Sequence, residues 1–455
     1  MNTLIILCAL GLIGLLSEIF NFKKILLPLV FAGLTIALIA AIRDWNSGNM
    51  YFNDMIVFDN YALAFSALII FITFVWFAIS PSFFHEPSSE SDHFSLIIFS
   101  LVGGVLMTSF NNLIMLFLGL EILSISMYVL AGSNKTSLSS NEAALKYFLI
   151  GAFTTCFLLF GIALVYGQTA SFDLREIARS LSQSHGNPSM LYAGICMIMA
   201  SMAFKVSAVP FHFWAPDVYQ GSPTVITAFM STVVKTAAFA AFLRLFAVSF
   251  RDVETIWSSS LWIISAATIL VGNITAVYQT NFKRMLAYSS ISHAGYMLIA
   301  ILAMNKLSSG SLLFYATAYS VSSITSFAIL LVVNKSIGSE SIESLYGLAR
   351  RNPLLAAVTV IAMLSLAGIP PTAGFFAKYY IFSSAIQNDL TGLVLIAVTG
   401  SLIGVFYYFR IIVALFRDKD AQQIKLNASF KTVLLLTTIV ALILGILPGL
   451  VAGLL

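Results

Sequence analysis

Residues 201–214, SMAFKVSAVPFHFW, place a lysine inside an apolar, helix-like stretch and a proline five residues after it. Pro210 cannot donate a backbone hydrogen bond to the carbonyl of Val206, the residue next to Lys205. At membrane depth, backbone groups left unpaired in this way are tolerated only where protein or water satisfies them. The stretch therefore predicts a membrane helix that is interrupted at Pro210, with water close to a buried lysine.

The composition of the whole chain places it in a membrane. Of its 455 residues, 59% are hydrophobic and 9% are charged, and the mean hydropathy is +0.96. Soluble domains carry about 25% charged residues. Nearly every predicted loop is short, which leaves no room for a separate soluble domain of ordinary size. The predicted fold class is an all-α polytopic membrane protein.

Stretches of about 20 mostly apolar residues, the length that a membrane helix needs, recur along the chain. The first of them, MNTLIILCALGLIGLLSEIF, lacks a basic segment and a small-residue cleavage site and is interpreted as a retained span. The pattern predicts roughly fourteen spans, with centres near Leu10, Thr35, Ile70, Gly103, Glu121, Thr155, Met199, Ala237, Thr268, Met297, Ser323, Leu364, Gly400 and Leu442.

The distribution of basic residues between the loops predicts the orientation. Odd-numbered loops contain twelve of them, namely Lys23, Lys24, Lys135, Lys283, Arg284, Lys335, Arg350, Arg351, Arg417, Lys419, Lys425 and Lys431. Even-numbered loops contain five, namely Arg43, Arg175, Arg179, Arg251 and Lys306. Because lysine and arginine accumulate in cytoplasmic loops, the odd loops are predicted to be cytoplasmic and both termini to lie on the opposite side.

A second span with internal prolines is LAGIPPTAGFFAKYY, at 366–380. Pro370 and Pro371 leave the carbonyls of Leu366 and Ala367 without their helical partners, and Lys378 follows on the same span. A proline kink by itself only bends a helix. Two kinks that each accompany a lysine favour a functional interpretation.

The two interrupted spans indicate an internal repeat. Pro371 follows Pro210 by 161 residues, and a weak Asn-to-Tyr similarity relates 112–128 to 281–296. Five spans separate the copies, and because five is odd, the second copy must be inverted. Interrupted helices in two inverted halves indicate a transport site. The predicted organisation is a three-helix segment (1–93), two five-helix repeats with broken helices 7 and 12 (94–250 and 251–418) and a C-terminal helix (419–455).

Glu121 is the one acidic residue at the middle of a predicted span, about 15 Å from either surface at a rise of 1.5 Å per residue. A charge at mid-bilayer costs roughly 2.5–3.5 kcal/mol, and only Lys146, Lys205, Lys235 and Lys378 are basic at comparable depth. Burial favours the neutral form of such groups, whereas pairing favours the charged form. A pair that forms and separates would act as a proton switch. The alternative is a structural ion pair within the helix bundle.

Two histidines extend this set of titratable residues. His212 follows the first break, and His293 lies in YSSISHAGYM, a span rich in hydroxyl groups. Histidine suits a proton relay because its unperturbed pKa lies near neutrality. Either ring could instead make structural hydrogen bonds. Lys146 has an alternative of its own, since it could extend to the membrane surface from the end of its span.

Several kinds of site are not predicted. The chain has no GxGxxG or P-loop motif for a nucleotide. Its three cysteines, Cys8, Cys156 and Cys196, lack metal-ligand spacing. The predictions are therefore no metal site and no cofactor on this chain. Energy for moving charge would come from a gradient or from another subunit.

Four runs carry a resemblance to a known family: FLGLEILSISMYVLAG, FKVSAVPFHFWAPDVYQGSP, NFKRMLAYSSISHAGYM and LSLAGIPPTAGFFAKYY. Together they resemble the antiporter-like membrane subunits of the proton-pumping NADH:quinone oxidoreductase, respiratory complex I. The resemblance implies fourteen helices, two inverted five-helix repeats and a location in the bacterial inner membrane. In that membrane, the side that the loop charges predict for both termini is the periplasm. It implies that Glu121 and Lys205 form an ion pair, that Lys235 and Lys378 continue a proton relay, and that Lys146, His212 and His293 are secondary members.

The resemblance also implies partners. These are other antiporter-like and small membrane subunits, and a hydrophilic NADH-oxidising arm that carries FMN, iron–sulfur clusters and the quinone reaction. A subunit of a multi-subunit cation/proton antiporter, or of a related membrane-bound hydrogenase, shares these motifs and is the main alternative. A passive membrane scaffold is an alternative from another class, and it requires the buried lysines to be dispensable.

Overall fold

A computed structural model of the 455-residue chain describes residues 1–20, 22–80, 90–183, 188–418 and 423–455. The chain divides into two compact units. The first comprises Met1–Phe77, Pro81–Val206 and Val233–Leu261, and the second comprises Ala78–Ser80, Ser207–Thr232 and Trp262–Leu455. The boundaries predicted at 93, 250 and 418 are not tested by this division and stay a prediction.

The helices of the first half alternate with short connections. They are α1 (Asn2–Ile19), α2 (Lys23–Arg43), α3 (Asn60–Ile79), α4 (Glu90–Ser109), α5 (Leu113–Ala131), α6 (Leu138–Thr169), α7 (Leu174–Gln183), α8 (Pro188–Lys205), α9 (Trp214–Gly221), α10 (Thr224–Phe229) and α11 (Lys235–Ser249). A π-helical turn, Met230–Val234, joins the last two. Two short antiparallel strands, β1 (Asn49–Tyr51) and β2 (Ile56–Phe58), pair between α2 and α3 with Met50 opposite Val57.

The second half continues in the same manner. Its helices are α12 (Glu254–Val277), α13 (Phe282–Ala303), α14 (Ser308–Ile337), α15 (Leu348–Arg351), α16 (Pro353–Ala367), α17 (Ala373–Ile386), α18 (Thr391–Phe416), α19 (Ala428–Ile446) and α20 (Gly449–Ala452). Short 3₁₀ turns lie at Arg251–Val253 and Ile342–Leu345. Nearly all of α13 and α14 is buried, so these two helices form the core of the second unit.

All fourteen predicted span centres lie within helices, and the all-α class is confirmed. Within the described residues, eleven helices are long and apolar enough to cross a membrane. Three further apolar segments are shorter: Ser189–Lys205, Pro353–Ala367 and Phe430–Ile446. The first two are short because they end at the predicted breaks. Lys419, one of the basic loop residues, lies outside the described ranges.

Two features of the first unit were not predicted. The hairpin of β1 and β2 lies where only a loop was expected, and its bridge from Ile56 to Phe110 ties it to the end of α4. The ten-residue helix α7 buries Leu174, Ile177 and Leu181 on one face. Apolar residues at this spacing form an amphipathic helix, too short for the span criterion that was applied to the sequence.

Each unit contains the same local hydrogen-bonding motif. In the first, Asn112 caps α5 by accepting from the Ile114 amide and forms an antiparallel bridge with Asp173. In the second, Asn281 caps α13 by accepting from the Arg284 amide and forms an antiparallel bridge with Ser341. Asparagine is favoured at N-caps because its side-chain oxygen satisfies a free helix amide. The motif fixes the start of the helix that carries Glu121 or His293.

Close helix contact holds the second break in place. A side-chain carbon added at Gly374, in the first turn of α17, would lie 1.7 Å from the carbonyl oxygen of Ser365 on α16. Only a residue without a β-carbon permits this approach. The two halves of the broken helix therefore pack directly against each other.

Candidate functional site

Glu121 lies near the middle of α5, as predicted, and is partly buried. Its Oε1 atom accepts a hydrogen bond of 2.7 Å from the hydroxyl of Thr155 on α6. The carboxylate is therefore held by a neutral donor on the neighbouring helix. In the sequence, Thr155 marks the centre of a predicted span. The residues next to it in the sequence gave no indication that it contacts Glu121.

Lys205 is the last residue of α8 and is 5% exposed. Its Nζ atom donates to Ser124 Oγ over 2.5 Å and lies 5.7 and 6.0 Å from the ring centres of Tyr128 and Tyr147. Aromatic faces attract a cation within about 6 Å. The Lys205 ammonium group thus lies in a pocket that side chains of α5 and α6 form around it.

The ion pair implied for Glu121 and Lys205 is not formed as a direct contact. Ser124, one helical turn beyond Glu121, accepts from the lysine instead and in turn donates to the Leu120 carbonyl. No ion pair among the described residues joins the two side chains within 4 Å. Since Ser124 belongs to the same helix as Glu121, the lysine lies close to the carboxylate without neutralising it by contact.

Lys146 forms an ion pair within its own helix. Its Nζ atom forms a 2.7 Å ion pair with Glu142, four residues earlier on α6, and 40% of its side chain is exposed. Exposed pairs of this spacing contribute about 0.3–0.5 kcal/mol. The neighbouring residue Tyr147 is the one that faces Lys205.

Lys235 is 3% exposed and begins α11 directly after the π-helical turn. Single π turns inside α-helices are rare and are frequent at functional sites. The turn, MSTVV, has no sequence signal that distinguishes it from an ordinary apolar helix. Sequence reasoning found the lysine and missed the turn.

The first break extends from Val206 to Phe213, between α8 and α9. Within it, the Val209 amide donates to Thr268 Oγ1 over 2.9 Å. Two buried polar atoms, Ser207 Oγ and His212 Nδ1, have no hydrogen-bond partner among the described residues. Buried polar groups are normally satisfied by protein or by ordered water. The two unsatisfied atoms therefore agree with the predicted entry of water at this break.

The second break extends from Gly368 to Thr372, and the nearby lysine satisfies one of the two carbonyls that its prolines free. Lys378 Nζ donates to Ala367 O and to Ser401 Oγ, each over 2.7 Å, and lies 5.2 Å from the ring centre of Tyr296. The lysine is 8% exposed. Protein or water was expected to satisfy this carbonyl. Lys378 takes that role because the start of α17 lies close to the end of α16, within reach of the lysine side chain.

His293 is buried in α13 and has a hydroxyl group at each ring nitrogen. Nδ1 lies 2.7 Å from Tyr315 Oη, and Nε2 lies 3.1 Å from Tyr408 Oη. Tyr408 is also hydrogen-bonded to Ser289, one turn before the histidine. Ser289, one of the hydroxyl residues in the predicted span, reaches the ring only through Tyr408. The two tyrosines belong to α14 and α18 and were not predicted.

The described residues contain no group of three His, Cys, Asp or Glu side chains that could hold a metal ion. What the described sites offer is a set of proton donors and acceptors inside apolar helices. The first unit contains Glu121, Lys205 and Lys235, and the second contains His212, His293 and Lys378. Broken helices with ionisable residues at their ends are typical of transporters.

Comparison with known proteins agrees with that class. A family model described as NADH:quinone oxidoreductase/Mrp antiporter, transmembrane, matches residues 110–404. The chain is therefore an antiporter-like membrane protein. The NADH-quinone oxidoreductase subunit N of Cytophaga hutchinsonii is 43% identical over 454 residues, which cover 98% of each protein. The chain belongs to the family of N subunits of NADH-quinone oxidoreductase, complex I.

Solved structures support the same fold. A chain of respiratory complex I from Thermus thermophilus with bound aureothin is 32% identical, with a TM-score of 0.85 over 99% of this chain and 98% of that one. A chain of the Mrp complex from a Dietzia species is 20% identical, with a TM-score of 0.89 over 99% and 95%. The second likeness concerns the fold alone. The fold is therefore shared by the complex I chain and the Mrp chain and does not distinguish between them. The sequence identity, 32% against 20%, does.

Proposed function

We propose that this chain translocates protons across the bacterial inner membrane, driven by quinone reduction elsewhere in complex I. Its relay consists of Glu121, Lys205, Lys235 and Lys378. Further members are Lys146, His212 and His293. In this proposal FMN, iron–sulfur clusters and quinone belong to partner subunits, which include other antiporter-like membrane subunits and a hydrophilic NADH-oxidising arm.

The observation that carries the proposal is the way two buried lysines are held. Lys205 donates to a hydroxyl, and Lys378 donates to a hydroxyl and a carbonyl. Neither forms an ion pair among the described residues. A neutral amine keeps two N–H donors, so these hydrogen bonds survive loss of the proton. Each lysine can therefore release and regain a proton without breaking an ion pair.

The free energy needed to move a proton across the membrane is similar in size to the free energy of a buried charge. Moving one charge against 100 mV costs about 2.3 kcal/mol, and a charge at mid-bilayer costs roughly 2.5–3.5 kcal/mol. Shifting the Glu121 carboxylate toward or away from Lys205 changes the free energy of the charged lysine by a comparable amount. In the proposed order, redox chemistry perturbs this pair, Lys205 passes a proton on to Lys235 and Lys378, and release follows on the periplasmic side.

We further propose that 94–250 and 251–418 are inverted five-helix repeats, flanked by 1–93 and 419–455. The shared motif at Asn112 and Asn281 supports this division, since each asparagine caps the second helix of its repeat and bridges to a residue about 60 positions later. The helix breaks that end α8 and α16 occupy the fourth helix of each copy.

The orientation is tested by reporter fusion. Both termini are proposed to be periplasmic, since twelve basic residues lie in odd-numbered loops and five in even-numbered loops. Alkaline phosphatase fused after Leu455 is expected to be active, because it folds only after export. The control is the same fusion after Lys335, in the last turn of α14 at the side proposed to be cytoplasmic, and it should be inactive. The reverse pattern would contradict the orientation.

Replacing Glu121 by glutamine is expected to lower NADH-driven proton pumping at least about tenfold, since a proton-transfer group typically contributes about 10²–10⁴-fold. Glutamine has the same shape and can still accept from Thr155 Oγ1, so only the charge next to Lys205 is removed. Pumping is measured by fluorescence quenching in inverted membrane vesicles, normalised to the amount of assembled complex.

Glu176→Gln is the matched control for this variant. Glu176 is an exposed carboxylate on α7 that pairs with Arg179 on the surface. This variant should pump as the wild type does. Wild-type pumping in a fully assembled Glu121→Gln complex would refute the assignment of Glu121 to the relay.

A further inference from the structure

We propose that Tyr408 and Tyr315 complete a proton wire through His293 in the second unit. The inference rests on the proposed function and adds two residues and a route to it. The tyrosine hydroxyls occupy both ring nitrogens of His293, at 3.1 Å from Nε2 and 2.7 Å from Nδ1. All three side chains are almost fully buried. Bulk water therefore does not compete for these hydrogen bonds.

The chemistry follows from the donor and acceptor capacity of each group. A neutral imidazole carries one N–H and one lone pair, and a hydroxyl both donates and accepts. With the proton on Nδ1, Tyr408 donates to Nε2 and Nδ1–H donates to Tyr315. With the proton on Nε2, both directions reverse. Either tautomer is thus fully hydrogen-bonded, which a ring with a single partner would not be.

One transfer moves one proton through the wire. A proton arrives at the Ser289 oxygen, and the Ser289 hydroxyl proton passes to the Tyr408 oxygen. The Tyr408 proton passes to His293 Nε2, the Nδ1 proton passes to the Tyr315 oxygen, and the Tyr315 proton leaves to the next acceptor. Each hydroxyl gains one proton and loses one, so no tyrosinate remains, and the ring ends as the other tautomer. Rotation of the hydroxyls and return of the ring to the first tautomer reset the wire.

A small cavity provides the acceptor at the Tyr315 end. Its volume is about 10 Å³, close to the least that holds a water molecule. Its lining includes His293, Tyr315, Tyr319, Ser322 and Ser365. Ser322 donates to Ser365 Oγ over 2.7 Å, so polar atoms from α14 and α16 face this space. A water molecule placed there has the several polar neighbours that a buried water requires.

The cavity leads toward Lys378. Ala318, Leu366, Gly374 and Ala377 complete its lining. Leu366 and Ala377 are sequence neighbours of the two residues that a hydrogen bond joins across the second break. Those residues are Ala367, whose carbonyl oxygen accepts from the lysine, and Lys378 itself. The wire therefore joins the hydroxyl-rich part of α13 to the break beside the proposed terminal lysine, Lys378.

The test replaces each hydroxyl by hydrogen in the whole complex. Tyr408→Phe and Tyr315→Phe each keep the aromatic ring and remove one hydroxyl group of the wire. The two hydroxyl groups lie on opposite sides of His293. NADH-driven pumping in inverted vesicles, per assembled complex, is expected to fall at least about tenfold in each, in keeping with the contribution of a proton-transfer group. The residual pumping is expected to show a larger solvent deuterium isotope effect than that of the wild type, because proton transfer becomes rate-limiting.

Tyr61→Phe is the matched control. Tyr61 lies in the first unit, and its hydroxyl donates to the backbone carbonyl of Ala240 over 2.8 Å and not to a residue of the wire. This variant is expected to pump as the wild type does, with an unchanged isotope effect. An equal loss in the control would refute the wire, because it would attribute the effect to packing.

The remaining outcomes separate the wire from the relay. Wild-type pumping in an assembled Tyr408→Phe or Tyr315→Phe complex refutes the wire. If Lys378→Met is defective at the same time, the proposed function stands, and if Lys378→Met also pumps normally, that function fails too. Should Tyr408→Phe not assemble, Tyr315→Phe decides alone, since it tests the other nitrogen of the same ring.

Discussion

Lys205→Met is expected to reduce NADH-driven proton pumping by at least about tenfold, with the complex still assembled. Methionine is unbranched and apolar, and it fits a pocket formed by Tyr128, Tyr147 and Ser124. The exchangeable proton is lost while packing is largely kept. Removing a buried cation that forms no ion pair also removes its desolvation cost, so assembly should not suffer.

Lys205→Arg distinguishes a proton carrier from a structural cation. Arginine keeps the positive charge, but its guanidinium stays protonated at any physiological pH. If Lys205 exchanges protons, the arginine variant should fail as the methionine variant does. If the lysine only supplies charge, arginine should restore pumping, and that result would refute the relay. Lys306→Met, at an exposed loop lysine, is the control and should have no effect.

Lys378→Met is expected to lower pumping to a similar extent and also to destabilise the second break. The variant leaves the Ala367 carbonyl without the lysine that satisfies it. A buried polar group left unpaired costs about 1–3 kcal/mol. Thermal inactivation of the purified complex should therefore begin at a lower temperature than in the wild type, a change that is not expected for Lys205→Met.

Ser401→Ala separates the two effects at this site. It removes one of the two hydrogen-bond acceptors of Lys378 and keeps both the lysine and its bond to Ala367. Pumping should remain within a few-fold of the wild-type rate, and thermal stability should change little. Unchanged pumping in an assembled, stable Lys378→Met complex would show that this lysine is dispensable, as the passive-scaffold alternative requires.

The comparisons with known proteins favour the complex I interpretation over the antiporter alternative. The identity of 43% with an N subunit over nearly the whole chain places the protein in that family. The likeness to the Mrp chain reflects a shared fold at 20% identity.

The sequence by itself determined the class, the span positions and both breaks. Insertion into lipid depends on the summed hydropathy of about 20 consecutive residues, and that sum does not depend on contacts with distant segments. The ends of α8 and α16 were predictable for a similar reason, since Pro210 and Pro371 act on carbonyls four residues away. Glu121 and the buried lysines stood out because charge is rare at that depth.

The tertiary structure alone decided which groups these residues touch. Ser124 and Lys205 are 81 residues apart in the chain, and His293 and Tyr408 are 115 apart. Hydropathy is nearly uniform around these helices, so it does not indicate which face meets which neighbour. Helix packing brings those faces together. It places Ser124 next to the Lys205 ammonium group, where an ion pair with Glu121 was expected. It also places Lys378 next to the Ala367 carbonyl, because α17 begins in close contact with the last turn of α16.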